Sequence, residues 1–198
     1  EIATDAAVFA TAAECARVVG LTAKVRIGDA NVFAALTQAL GLSKSWQSRL
    51  SATFGDRRRL TASMKRLSGE DSENAATGRL APALAHLGPT EARAIIDAVL
   101  AAPADSLTAC ATRHGLPLDA AIARSSARTD ALAAAGLDPA NIIFEAAFGR
   151  RLGYYTGLVF EFANAEPPHV EVIAGGRSNA LAPQLRPGLT LPGVGYSV

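Results

Sequence analysis

Two short runs near the end of the chain hold the side chains best suited to a polar ligand. Residues 149–162 read GRRLGYYTGLVFEF, and residues 175–181 read GGRSNAL. Arg150 and Arg151 follow Phe148-Gly149 at an expected bend, where a planar guanidinium fork can clamp a carboxylate or a phosphate; solvated turn arginines are the alternative reading. Tyr154 and Tyr155 each carry a hydroxyl that needs a polar partner once buried. An imidazole or a carboxylate would serve, and plain packing of both rings on helices is the alternative. Thr156 adds a further hydroxyl. Gly175 and Gly176 let backbone approach a ligand closely, with Arg177 behind them as a second turn arginine. The candidate ligand-binding set is therefore Arg150, Tyr154, Tyr155, Thr156, Gly175, Gly176 and Arg177.

No catalytic constellation accompanies this set, because no nucleophile, base and orienting group share a defensible spacing. His86, His114 and His169 are far apart and have no cysteine or carboxylate at ligand spacing, so no metal and no cofactor is expected. Glu161 reads as an exposed or edge carboxylate, since no second acid lies near it in sequence, and the acids do not cluster. Gly193 and Gly195 lack the third glycine and following helix of a dinucleotide loop. Asp56-Arg57-Arg58-Arg59 reads as a solvated helix face, and a formal net charge of +1 argues against a nucleic-acid partner.

The elements that must position these residues fall into two halves. Alternation over 154–163 predicts a strand with Tyr155, Gly157, Val159 and Glu161 on one face and Tyr154, Thr156, Leu158 and Phe160 on the other. Strand-like runs at 141–147, 170–174 and 189–198 complete a sheet over 141–198, and their short spacing favours antiparallel pairing. Residues 42–136 form an alanine-rich helical series punctuated by Gly and Pro, with a polar loop at 70–78 and a long helix from Leu118 that stops at Gly136 before the Asp138-Pro139 turn. Residues 2–19 place Ile2, Ala6, Phe9, Ala13, Ala16 and Val19 on one helix face; 21–27 alternates as a strand; Asp29 caps a helix carrying Val32, Phe33, Leu36 and Leu40, closed by Gly41.

The fold class expected is α+β, an antiparallel sheet with helices on one side, in a single domain over 1–198. Hydrophobic residues are 49% but aromatics only 6%, so alanine-rich helices should supply much of the core. Cys15 and Cys110 sit in such helical patterns as small buried hydrophobes, which fits a reducing cytoplasm. Neither a membrane span nor a secretory leader is visible. Glu1 opens inside a helical pattern and Val198 closes inside a strand-like run, so both ends read as cut from a longer protein.

The run RRLGYYTGLVFEF resembles the histidine-specific motif of histidyl-tRNA synthetases, R-G-L-D-Y-Y-T-G-x-V-F-E, and AGGRSNAL resembles their A-G-G-R-Y-D-G-L. LPGVGYSV at 191–198 is similar to the opening of the class II motif 3 strand, and the first forty residues to the helix, strand and helix after motif 2. The resemblance implies that Arg150 matches the arginine at the activated phosphate and Tyr155 the tyrosine at the substrate imidazole. The motif tyrosine and aspartate are replaced by Ser178 and Asn179. This eroded pattern is similar to the synthetase paralogue, the ATP phosphoribosyltransferase regulatory subunits. That implies a non-aminoacylating cytoplasmic protein, self-associating as a dimer within a hetero-oligomer. Its partner would be a short-form ATP phosphoribosyltransferase catalytic subunit, activated in the first step of histidine biosynthesis, with histidine as a feedback ligand. The alternative is a fragment of an active histidyl-tRNA synthetase. Under either reading motif 1, the motif 2 arginine and the motif 3 arginine lie outside this sequence.

Overall fold

The computed structural model describes residues 1–68, 88–134 and 139–198. The polar loop expected at 70–78, His86, the helix stop at Gly136 and the turn residue Asp138 lie outside them.

Helix α1 (Ile2–Val18) leads into strand β1 (Ala23–Asp29). Asp29 accepts a hydrogen bond from the Asn31 backbone N–H and so caps α2 (Ala30–Ala39), and Gly41, at φ 69°, lets the chain turn away after it. Helices α3 (Lys44–Thr53), α4 (Arg57–Leu67), α5 (Pro89–Ala101), α6 (Leu107–Arg113) and α7 (Asp119–Ala133) follow. Strands β2 (Ile142–Phe144), β3 (Leu158–Asn164) and β4 (Glu171–Arg177), the short helix α8 (Leu181–Leu185) and strand β5 (Val194–Ser197) complete the described chain.

The five strands form one sheet in the order β2-β1-β3-β4-β5. Pairing is antiparallel except for β1 and β2, which run parallel with Val25 opposite Ile142. The α+β class thus holds, with one correction to the expected pairing. Between β1 and β2 the chain passes through the helical series, and a connection of that length lets a strand return parallel. Because β2 and β3 then flank β1 on opposite sides, the segment joining them has to cross β1.

Helices α1 and α7 cover one face of the sheet. Phe9 meets Phe160 and Phe162 at ring-centroid distances of 5.2 and 5.3 Å, within a core that includes Val25, Ile27, Leu132, Leu158 and Ile173. The buried stripe of α1 is Asp5, Phe9, Ala12 and Ala16, rotated from the face expected, and Val19 is 64% exposed. The rotation follows from Asp5, a charge that must face its buried partners. A second core unites α2 to α6, with Phe33 stacked on Phe54 at 4.3 Å.

Candidate functional site

The predicted site residues sit on β4 and on the crossing segment rather than on the strand expected for them. β3 begins at Leu158, so Tyr154, Tyr155 and Thr156 precede it and their side chains do not alternate across a sheet. Gly175, Gly176 and Arg177 lie inside β4, not in a turn at its end. These are corrections to the sequence reading, and both follow from the crossing: the chain enters β3 only after passing over β1.

Glycines make that passage fit. A Cβ on Gly28 would collide with the Phe148 carbonyl oxygen, and one on Gly55 with the Arg150 carbonyl. A Cβ on Gly149 would lie 2.6 Å from the Phe54 ring. On β4 a Cβ at Gly176 would come within 3.0 Å of the Tyr155 ring. Gly28 and Gly176 both stand opposite Val159, on the two sides of β3. Phe148 and Tyr155 therefore close over Val159, which is wholly buried.

On this face, away from α1, lies a charged cluster. Arg26 of β1 has its guanidinium 4.3 Å from the centroid of the Phe148 ring and donates to Glu161 at 2.6 and 3.0 Å and to Glu145 at 3.4 Å. Arg150 makes a two-pronged contact with Glu171, at 2.9 and 3.1 Å, and stands 3.9 Å from Glu161. Burial raises the Glu161 carboxyl above the usual range, against the pull of Arg26, and Glu171 beside it adds to the rise. The bond from Arg150 holds Glu171 below that range. Burial and then Tyr154 push the Tyr155 phenol up, while Arg150 pulls it the other way. Tyr154 and Tyr155 lie ring to ring at 4.8 Å. Glu161 is thus neither isolated nor at an edge: it sits on a central strand, and three acids meet around two arginines.

Arg177 points to the opposite, helix-covered face. It donates to Asp5 at 2.6 and 2.7 Å, to the Asn179 side-chain oxygen at 3.2 Å and to the Glu1 carbonyl at 3.4 Å. Asp5 also accepts from Arg128 at 2.9 Å, and Arg128 reaches Asp29 as well. Burial raises the Asp29 carboxyl, opposed by Arg128. The structure therefore groups Arg150, Tyr154, Tyr155 and Gly176 on one face and puts Arg177 on the other. Gly175, whose Cβ would be 2.8 Å from Phe160, belongs to the Arg177 face. Thr156 joins the ends, since its hydroxyl accepts from the Asn179 N–H at 3.2 Å.

Asn179 in turn accepts from the Gly193 N–H at 3.1 Å, and Ser178 N–H donates to the Gly193 carbonyl at 2.7 Å. The two residues that replace the motif tyrosine and aspartate are thus used to tie the end of β4 to the segment before β5. Sequence reasoning missed Arg26, Glu145 and Glu171 on the open face and Asp5 and Arg128 beneath the helices. Only Arg26 left a signal, on the polar side of the alternation at 21–27.

Asp56 caps α4 by accepting from the Arg58 and Arg59 backbone N–H groups, and Arg57, Arg58 and Arg59 are exposed, as expected. Cys15 and Cys110 are partly buried free thiols, and the Cys15 sulfur lies 3.3 Å from the Tyr196 hydroxyl. Among the described residues no helix is long and apolar enough to cross a membrane, and no group of three or more His, Cys, Asp or Glu could hold a metal ion.

The family model for histidyl-tRNA synthetase matches residues 1–198. The chain belongs to the histidyl-tRNA synthetase family. Within that family it is a homologue of ATP phosphoribosyltransferase regulatory subunits: it is 30% identical to the one from Brucella anthropi and 29% identical to the one from Brucella canis, over 250 aligned residues in each case. Both alignments take in 100% of this chain and 66% of the relative, so the chain spans about 66% of the length of the curated relatives it matches. Among solved structures, the histidyl-tRNA synthetase from Nostoc sp. PCC 7120 superposes with a TM-score of 0.71 at 19% identity, over 100% of this chain and 45% of that one. The ATP phosphoribosyltransferase regulatory subunit/histidyl-tRNA synthetase from Bacillus halodurans C superposes at 0.68 and 19% identity, over 99% and 47%. At these identities the structural likeness is one of fold: the α+β sheet is that of the histidyl-tRNA synthetase catalytic domain.

Proposed function

We propose that the whole protein is a regulatory, non-aminoacylating cytoplasmic subunit that activates a short-form ATP phosphoribosyltransferase in the first step of histidine biosynthesis. Histidine acts on it as a feedback ligand at the open face around Arg150 and Tyr155. The observation that carries this reading is the similarity of the entire chain to curated regulatory subunits. Two features of the face agree with it. Arg150, at the position of the synthetase arginine for the activated phosphate, is engaged by both oxygens of Glu171. Ser178 and Asn179 bond to the chain at Gly193 and leave no aromatic hydroxyl at that place. A pocket that loses a hydrogen-bonding group discriminates less well for its ligand.

A regulatory protein shifts its partner only through contacts that differ between the partner's active and inactive states. Coupling of about 1 to 3 kcal/mol is the usual size of such an effect. The test is to mix the full-length protein with a short-form ATP phosphoribosyltransferase and measure phosphoribosyl transfer with and without histidine. Activation, histidine inhibition weakened by Tyr155→Ala and Arg150→Ala, and no charging of transfer RNA are expected. Absence of activation, or histidine-dependent charging by the protein alone, would overturn the reading.

A further inference from the structure

We propose that α4 is a docking face for an acidic surface of the catalytic subunit, received in the groove that Arg57, Arg58 and Lys65 form over Thr61 and Ala62. The inference rests on the reading that this protein acts on such a subunit, and adds to it the surface through which the two associate.

Charge is segregated along this chain. Residues 44–68 hold seven lysines and arginines against the single acid Asp56, a balance of +6 in a chain whose formal total is +1, so the remainder sums to −5. Packing turns that charge outward: Leu60, Ser63, Met64 and Leu67 of α4 are buried, whereas Arg57, Arg58, Arg59, Lys65 and Arg66 are exposed. Arg57, Arg58, Thr61, Ala62 and Lys65 recur at helical spacing and line one shallow groove, with small side chains as its floor and cations as its walls. Among the described residues no carboxylate stands within ion-pair distance of Arg57, Arg58 or Lys65. The acids on neighbouring elements are otherwise engaged: Asp56 caps α4 and lies 3.7 Å from Arg151, and Asp97 of α5 lies 3.6 Å from Arg93. Glu70, Asp71 and Glu73, which follow in the sequence, lie outside the described residues. A basic face of this kind steers and orients an acidic partner, and the arginine fork matches a carboxylate. Size favours a protein over a nucleic acid. The 11 residues of α4 span about 16 Å, so a strand of phosphates would run on past the helix and meet a remainder that repels it. The groove also has no aromatic ring on which a base could stack. An acidic patch on a protein can match the face alone.

Binding of the full-length protein to an immobilised short-form ATP phosphoribosyltransferase tests the face. The variant is Arg58→Glu with Lys65→Glu; Arg57 is left in place because it also borders the open-face cavity. This double reversal should weaken association at least about tenfold, since it sets like charges against each other. Arg58→Gln with Lys65→Gln, which only neutralises, should weaken it less and serves if the reversed variant fails to fold by circular dichroism. Raising salt from about 0.05 M to about 0.5 M should weaken the wild type more than either variant. Reversal of the exposed Arg113 and Arg124, on α6 and α7, is the control and should change affinity by no more than about twofold. Wild-type affinity in both the Glu and the Gln variant, or an equal loss in the control, would overturn the docking face. So would a transfer RNA bound by the wild type and lost by the Glu variant while transferase affinity is unchanged. Activation of the transferase, assayed alongside, separates the two ideas: an active wild-type complex that the variants leave intact removes only the docking face, whereas a wild type that neither binds nor activates removes the functional reading and this inference with it.

Discussion

Asp5 and Arg177, 172 residues apart in the chain, meet in a buried ion pair with Nε and Nη2 of the arginine 2.7 and 2.6 Å from the same carboxylate oxygen. The other oxygen of Asp5 accepts from Arg128, so a single carboxylate at the start of α1 ties together α7 and the end of β4. Asp5→Ala would leave two buried guanidinium groups short of an acceptor, and removing one partner of a buried pair costs about 3 to 5 kcal/mol. Urea unfolding followed by circular dichroism should show that loss; a change below about 1 kcal/mol would mean that water replaces the carboxylate.

Phe9 anchors the same helix by packing. It is wholly buried against Phe160 and Phe162, whereas Val18 at the other end of α1 is 71% exposed. Phe9→Ala should therefore cost about 3 to 5 kcal/mol by leaving a cavity. Val18→Ala should change stability by no more than about 0.5 kcal/mol. Comparable losses from both would contradict the orientation of α1.

Gly28 is where the segment before β3 passes over β1. Gly28→Ala forces the Phe148 carbonyl away and should cost about 1 to 3 kcal/mol by overpacking. Limited proteolysis within 145–153 should rise with it. Gly153→Ala is the control: its Cβ meets nothing within 4 Å, so cleavage and stability should stay at wild-type values.

The pair of Arg150 and Glu171 sets a pH dependence whose sign follows from Glu171. Its carboxyl is held below the ordinary range chiefly by the Arg150 bond, so the stability it contributes is present above that range and is lost as pH falls through the lowered value. The melting-temperature difference between wild type and Glu171→Gln should thus be largest near neutrality and close in acid. Because Glu171 is well exposed, the difference should correspond to no more than about 1 kcal/mol. A difference that grows in acid would contradict the assignment.

Local pattern was legible where a residue's neighbours in sequence are also its neighbours in space. The Asp29 cap, the stripe of Val32, Phe33, Leu36 and Leu40 and the stop at Gly41 all depend on contacts two to four residues apart, and all occur where the pattern put them. The rotation of α1 was not legible, because Asp5 looks like a surface residue until Arg128 and Arg177 arrive from far along the chain. Glu161 was misread for the same reason: Arg26 is 135 residues away.

The sequence by itself determined the helical and strand periods, the glycines that allow close approach, and the motifs that place the chain in its family. Those are properties of local backbone preference and of residue identity. Only the tertiary structure decided that β2 returns parallel to β1, that the segment carrying Arg150 and Tyr155 therefore crosses the sheet, and that Arg150 and Arg177 face opposite sides. Which charge finds which partner depends on where distant strands come to lie. Burial makes an unpaired charge too costly to leave, so these pairings and the fold that brings them together were selected as one arrangement.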